Sequence, residues 1–398
     1  MKKSKAVFIS ILLALSILIL DRNHLAYAEA DSLQDLNNLQ DLNNLQDLNN
    51  LQDLNNLRIN PCGGFSMISN SNTTLVLLLS IKNKVYAQSN SGNQVPPNWV
   101  SDWVSASGNQ PWGDNIISDL DISSPYKADD TTDAVLSAGN MIYFIENIPP
   151  LSDYTQNDWT WQALTATAPW GQAYVNKVAL QSPVNTPQVQ GGIIALVQGS
   201  IYYKKLSDTA MFQDGAWQNI DDNRLWGSNT VTNIGISGVR KKSTIVGYVI
   251  AGGRLYHHPD LNDLTNKDWI LDKTGSPYLT NLSIKYTSSL FADVSQQLTL
   301  IATDPTNNVF STTVSTRTYN FDIPFNLSLV DYNLNRPWGT APIVDVSIGE
   351  DVYYSFPNFV VLAGYDNATP YSLRSYYNEW QNVEKNAPWK LPGGPCAP

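Results

Sequence analysis

Trp161-Gln-Ala-Leu-Thr-Ala-Thr-Ala-Pro-Trp170-Gly171 sets two tryptophans nine positions apart, the second inside a Pro-Trp-Gly corner. The same spacing recurs along the chain as Trp103/Trp112, Trp161/Trp170, Trp217/Trp226, Trp269/Tyr278, Leu329/Trp338 and Trp380/Trp389. The second members follow one another at intervals of 58, 56, 52, 60 and 51 residues. Self-similarity at this period is the signature of a repeat architecture in which each unit buries its faces against its neighbours. Two units are degenerate, with Tyr278 and Leu329 standing where the others carry tryptophan.

Each interval reads as four short strands. In the fourth, Thr232 to Ser237 alternates, Thr244 to Ala251 is an apolar run closed by Gly252-Gly253, and Leu255-Tyr256-His257 and Trp269-Ile270-Leu271 follow. Val178 and Leu180, Ile193 to Val197, Ile201-Tyr202-Tyr203 and Trp217 repeat the plan, as do Val346 and Ile348, Phe359 to Ala363, Leu373 to Tyr377 and Trp380. Short strands punctuated by Gly, Asn and Asp, with no helical stretch, predict an all-β fold. About fifty residues per four-stranded unit, six times over, predicts a six-bladed β-propeller of four-stranded blades. An open array would leave sheet edges unpaired.

Seven residues after each signature aromatic stand Asp119, Lys177, Asn233, Lys285, Asp345 and Cys396, and nine after it stand Asp121, Ala179, Gly235, Thr287 and Ser347. This mostly small, polar column is expected to face a central channel, with its charges pairing at one mouth. Cys396 falls where a seventh inner strand would begin, but the sequence given stops there. Phe65-Ser66-Met67, just after Cys62, supplies the apolar-small-apolar pattern of a first inner strand. The expectation is a ring with no strand borrowed across its seam, closed by a Cys62–Cys396 disulfide.

Residues 1–30 read as a signal peptide: Lys2, Lys3 and Lys5 precede an apolar run from Ala6 to Leu20, and Ala26-Tyr27-Ala28 offers a cleavage pattern. From Leu33 to Asn56 the hexapeptide Leu-Gln-Asp-Leu-Asn-Asn occurs four times. Leucine at every third position drifts around a 3.6-residue helix, so residues 31–58 read as a low-complexity spacer, with 59–398 forming the propeller. The expected localisation is secreted, periplasmic or extracellular, with no membrane insertion. Thirty-five acidic against 24 basic residues, formal net charge -11, argue against nucleic acid as a partner.

The strand pattern Ile234-Gly-Ile-Ser237, Ile245-Val-Gly-Tyr248, Leu255-Tyr256 and Trp269 resembles the tectonin and tachylectin type of lectin β-propeller repeat. The resemblance implies glycan binding at several equivalent surface sites. Aromatic faces can stack on sugar C–H groups while amides and charged groups bond the hydroxyls, so the ligand-binding candidates are Trp112, Trp170, Trp226, Tyr278, Trp338 and Trp389, with Arg224 and Arg336 nearby. The competing role for these rings is wedging between blades. Two other functions stay open. One is a protein–protein scaffold addressing cell-surface proteins. The other is a channel-mouth hydrolase or lyase built on Asp119, Asp121 and Asp345. No catalytic residue is assigned. No metal spacing, nucleophile elbow or phosphate loop occurs, so no metal and no cofactor is expected. The protein is expected to be a monomer with glycans or cell-surface proteins as partners.

Overall fold

The computed structural model describes residues 65–70, 74–91, 102–123, 132–146, 148, 159–164, 168–182, 191–206, 215–222, 224–239, 244–265, 268–274, 278–287, 297–315, 320–322, 324, 326–327, 330–331, 336–351, 356–363, 369–374 and 379–383. The signal-peptide and spacer segments, Cys62, Cys396, Leu329 and Trp389 lie outside them.

The described residues are all-β, with six four-stranded antiparallel sheets. The first is built from Phe65–Asn70, Thr74–Ile81, Lys84–Ser91 and Val104–Ser105. The second comprises Ile117–Ile122, Ala134–Ala138, Met141–Ile145 and Gln162–Ala163. Val175–Gln181, Gly191–Val197, Ser200–Leu206 and Gln218–Asn219 form the third. Val231–Val239, Thr244–Ala251, Arg254–His258 and Ile270–Leu271 form the fourth. The fifth contains Asn281–Thr287, Gln297–Thr303, Val309–Ser315 and Val330–Asp331. Ile343–Asp351, Phe356–Ala363, Thr369–Arg374 and Glu379–Asn382 complete the sixth. In each sheet the strands pair in sequence order, so Phe65–Asn70 opens the first sheet without a strand from the other end of the chain. One addition had no sequence signal: Lys273–Thr274 pairs in parallel with Asn326–Leu327.

The second strand of each sheet explains the packing. Leu77, Leu79 and Ile81 face the sixth sheet, meeting Val360, Leu362 and Val383, while Val76 and Leu78 face the second, meeting Leu120, Leu136 and Trp161. Successive side chains of a strand point to opposite faces, and here both faces are covered. That is why these strands are continuous apolar runs instead of alternating ones. The buried apolar residues accordingly fall into six clusters, one between each pair of neighbouring sheets, the sixth and first included. The innermost strands neighbour one another in the same cyclic order.

In the first, second and fourth sheets a tryptophan ahead of the outermost strand makes the same contact, whereas Trp217 Nε1 in the third has no acceptor among the described residues. Trp161 Nε1 donates to Ala106 O at 3.0 Å, and Trp269 Nε1 to Ile220 O at 3.0 Å; both carbonyls lie just past the preceding sheet's outermost strand. Trp103 Nε1 donates to Val383 O at 3.3 Å, joining first and sixth sheets across 280 positions in the same manner. Chain neighbours and chain ends are thus packed by one rule.

Trp161→Ala removes a fully buried ring and leaves the Ala106 carbonyl without its donor. Its urea-unfolding midpoint should fall by the equivalent of about 3–5 kcal/mol, whereas exposed Gln162→Ala should stay within about 0.5 kcal/mol of wild type.

Candidate functional site

The Pro-Trp-Gly corners sit where the chain enters each innermost strand. Trp112, Trp170, Trp226 and Trp338 are buried. Three of these indoles reach back to the turn between the second and third strands of the preceding sheet: Trp112 Nε1 to Asn83 O at 2.8 Å, Trp170 Nε1 to Asn140 O at 3.0 Å and Trp338 Nε1 to Asn307 O at 3.4 Å. The turn amides answer, Asn83 Nδ2 donating to Gly113 O and Asn140 Nδ2 to Gly171 O.

The tryptophans that pair in space are not those that pair in sequence. Trp112 meets Trp161 edge to face at 5.7 Å, Trp170 meets Trp217 at 4.9 Å, Trp226 meets Trp269 at 5.1 Å and Trp338 meets Trp380 at 4.7 Å. A third ring from the same sheet joins each pair: Tyr143, Tyr202, Tyr256 and Tyr371. Such edge-to-face contacts add about 0.5–1.5 kcal/mol per pair to the area buried. Each triad lies on the face its sheet turns to the preceding one. Nine-residue partners such as Trp103 and Trp112 therefore belong to different sheets.

Among the described residues the fifth sheet has no such triad. Tyr278 stands at its corner, and Thr312, which pairs with Leu300 as Tyr143 pairs with Leu136, takes the third-strand position. Leu279 and Phe321 fill the interface with the fourth sheet instead. Buried His257 bridges it, its Nδ1 2.8 Å from Asp272 Oδ1 and its Nε2 2.9 Å from Phe321 O. Without ring partners to wedge between, Tyr278 lies on the surface, 57% exposed. Its ring is laid over the Gly252-Gly253 turn: a Cβ on Gly253, whose φ is +75°, would overlap the ring. Across the turn, the Asn229 carboxamide packs against Gly252, and Arg254 beside it is exposed. Among the described signature aromatics Tyr278 alone offers a face to solvent. Arg224 and Arg336 are exposed too, Arg336 Nη1 donating to Asn308 Oδ1 at 3.1 Å. Asn229, Gly253 and Arg254 escaped the sequence reading; the adjacent glycines beside a missing tryptophan were their trace.

Asp119, Asp121, Lys177, Asn233, Lys285 and Asp345 line the channel, around a space of about 30 Å³. The register shifts by one residue just before Asp119, Lys177, Asn233 and Asp345. Such bulges re-aim the side chain that follows. Lys177 Nζ donates to Asp119 Oδ1 at 3.2 Å and stands 3.9 Å from Asp345 Oδ1. Asp119 Oδ2 and Asp121 Oδ2 accept from Val178 N and Leu180 N, stitching the second sheet to the third. Lys285 crosses from the fifth sheet to the second, donating to both Asp121 oxygens at 2.9 and 3.1 Å and to Ile122 O at 2.6 Å. Three carboxylates thus share two ammonium groups. Burial pushes the Asp119 carboxyl up to about 7; Lys177 opposes this, and the Asp345 and Asp121 carboxylates add to it. Burial works against the charge on Lys177, but Asp119 and Asp345 more than offset it and hold its pKa above the ordinary range. Asp119 and Asp345 converge on Lys177, while Asp121 is engaged with Lys285.

No family model and no curated protein matches the chain. Solved structures do. The fucose-specific lectin from Aleuria aurantia superposes with a TM-score of 0.50 at 9% identity, covering 80% of this chain and 93% of that one. An arginine triple mutant of AofleA from Arthrobotrys oligospora gives 0.48 at 10% identity, covering 80% and 86%. SapL1 lectin in complex with alpha methyl fucoside gives 0.45 at 10% identity, covering 81% and 97%. The likeness to the Aleuria aurantia protein shows the β-propeller fold.

The channel chemistry has a testable pH dependence. Asp119 holds its proton in the folded chain below about pH 7, and in the unfolded chain only below about 4. Between these values the folded state binds the extra proton, so this site adds stability as pH falls, with a slope of at most about 1.4 kcal/mol per pH unit. Asp119→Asn should flatten that part of the unfolding-midpoint profile between pH 4 and 7, measured against wild type in urea.

Proposed function

We propose that the chain is an exported lectin: a six-bladed β-propeller that recognises glycans on the face carrying the Pro-Trp-Gly corners. The observation that carries the reading is the Tyr278 corner. An aromatic ring is held open over Gly253, the Asn229 carboxamide packs against the adjoining Gly252, and Arg254, next in the chain, is exposed. Sugar rings present C–H faces for stacking and hydroxyls for amide and guanidinium donors, so this grouping matches their chemistry. The fold shared with the Aleuria aurantia lectin, named for fucose, makes fucosides the first ligands to try. The tectonin-like strand pattern adds to the reading. Burial of Trp112, Trp170, Trp226 and Trp338 favours a packing role for those four, and leaves Arg224 and Arg336 as the exposed candidates at their corners.

Six blades are supported by the six interface clusters and by the Trp103–Val383 contact between first and sixth sheets. In this proposal residues 1–30 direct export, 31–58 space the propeller from what precedes it, and Cys62 and Cys396 close the ring as a disulfide in an oxidising compartment.

Purified chain applied to a glycan array should bind a defined subset of glycans, with free sugar competing. Tyr278→Ala should weaken that binding roughly two- to tenfold, and Tyr278→Trp should preserve it. Failure to bind any glycan would remove the lectin reading and favour a scaffold whose partner is a protein; full binding by the alanine variant would remove Tyr278 from the site. Thiol titration of the exported, unreduced chain should find no reactive cysteine, and two reactive thiols would exclude the closing disulfide.

A further inference from the structure

Two corners bring the same two positions together: the residue at the start of a third strand, or just ahead of it, and the residue two places before the next sheet's corner aromatic. At one, Lys84 Nζ donates to Gln110 Oε1; at the other, Arg336 Nη1 donates to Asn308 Oδ1 at 3.1 Å. The contact is the same, with the charge moved from one partner to the other. The equivalent pairs in sequence are Met141/Ala168, Ser200/Arg224 and Arg254/Ser276. Four of the five pairs thus hold one cation and none holds two, supplied twice by the turn and twice by the corner.

These cations share one face. Of the exposed lysines and arginines among the described residues, Lys82, Lys84, Arg224, Arg254 and Arg336 lie at the corners, and Lys205 alone lies toward the far end of a sheet. None of the five forms an ion pair among the described residues. Exposed carboxylates are distributed the other way. Asp102, Glu146, Asp268 and Asp322 lie between a third strand and an outermost one, at the end of the sheets away from the corners, and Asp114 and Asp222 lie on the corner side. The two ends of a strand are about 17 Å apart, and at physiological ionic strength charges are screened within about 8 Å. A chain of formal net charge -11 therefore presents a locally basic face.

We propose that this face binds an acidic glycan, a polymer bearing carboxylate or sulfate groups, with Lys84, Arg224, Arg254 and Arg336 as its anion-binding residues. The inference rests on the lectin reading and narrows its ligand. A guanidinium offers a planar fork of donors that fits two oxygens of one anionic group. A single exposed ion pair contributes little, so a ligand that repeats its charge and engages several corners at once is the one this arrangement holds. Tyr278, exposed on the same face, adds a stacking surface for sugar C–H groups, which favours a glycan over other polyanions.

Binding of the full chain to immobilised polygalacturonate, dextran sulfate, uncharged dextran and single-stranded DNA, in low and high salt, tests the proposal. One acidic glycan at least should bind about tenfold more tightly than dextran and lose most of that advantage in high salt. Polygalacturonate as the tighter ligand assigns the site to carboxylates, and dextran sulfate to sulfates. Combining Lys84→Gln, Arg224→Gln, Arg254→Gln and Arg336→Gln should weaken binding about tenfold, and Lys205→Gln should leave it unchanged, with circular dichroism checking each fold. Full binding by the folded fourfold variant overturns the proposal, as does dextran or DNA binding as tightly as the better acidic glycan. Absence of binding to both acidic glycans overturns it too; the lectin reading survives that result if neutral glycans bind on the array, and falls with it if none does.

Discussion

Every sheet in this molecule has two apolar faces, and that constraint organises the rest. A strand such as Thr74–Ile81 sends Leu77, Leu79 and Ile81 one way and Val76 and Leu78 the other, so neither face can be left to water. A single sheet with two such faces needs a neighbour on each side, and so does that neighbour. A stack would end in two exposed apolar faces, whereas a closed circle has none. Tryptophans make the contact specific: Trp103, Trp161 and Trp269 hook a carbonyl of the preceding sheet, and the corner rings Trp112, Trp170 and Trp338 hook its turn. Trp103 treats Val383 as Trp161 treats Ala106, so the sixth and first sheets meet through the contact that joins the first and second.

The fifth sheet shows what happens when that contact is relaxed. Each corner tryptophan touches both other rings of its triad, whereas in the fifth sheet Tyr278 takes the corner and Thr312 the tyrosine position. Leucine, phenylalanine and a buried histidine–aspartate bridge close the interface in another way. The consequence is at the surface. The corner ring, no longer required inside, is displayed on the Gly252-Gly253 turn, so one departure from the repeat makes one of its corners different from the others. Sites of function are expected where local consistency with the fold is broken.

At the axis the same strands meet edge on, and their polar column has to be compensated there. Lys177 serves two aspartates, and Lys285 reaches across to the opposite sheet, so the channel is crossed by a brace instead of running open. Burial and the crowding of carboxylates leave Asp119 able to take a proton near neutrality. The channel is therefore both a structural junction and the most chemically differentiated part of the interior.

The count of repeats, their four-strand plan, the apolar second strands and the channel column were all legible in the chain, because each depends on spacing and on alternation along a single strand. Asp119, Lys177, Asn233 and Asp345 could be placed in one row from their distance to the signature aromatic alone, whereas Lys285, at the same distance, falls level with Asp121. Which ring packs on which could not be read this way: Trp103 and Trp112 are neighbours in sequence yet belong to different sheets, since the chain leaves one sheet between them. The bulges that aim the column, the crossing of Lys285 to Asp121 and the exposure of Tyr278 likewise depend on groups far apart in sequence. Local pattern dictates the strands and their buried faces; the partner of each side chain is decided only when the sheets meet, because packing joins surfaces and not sequence positions.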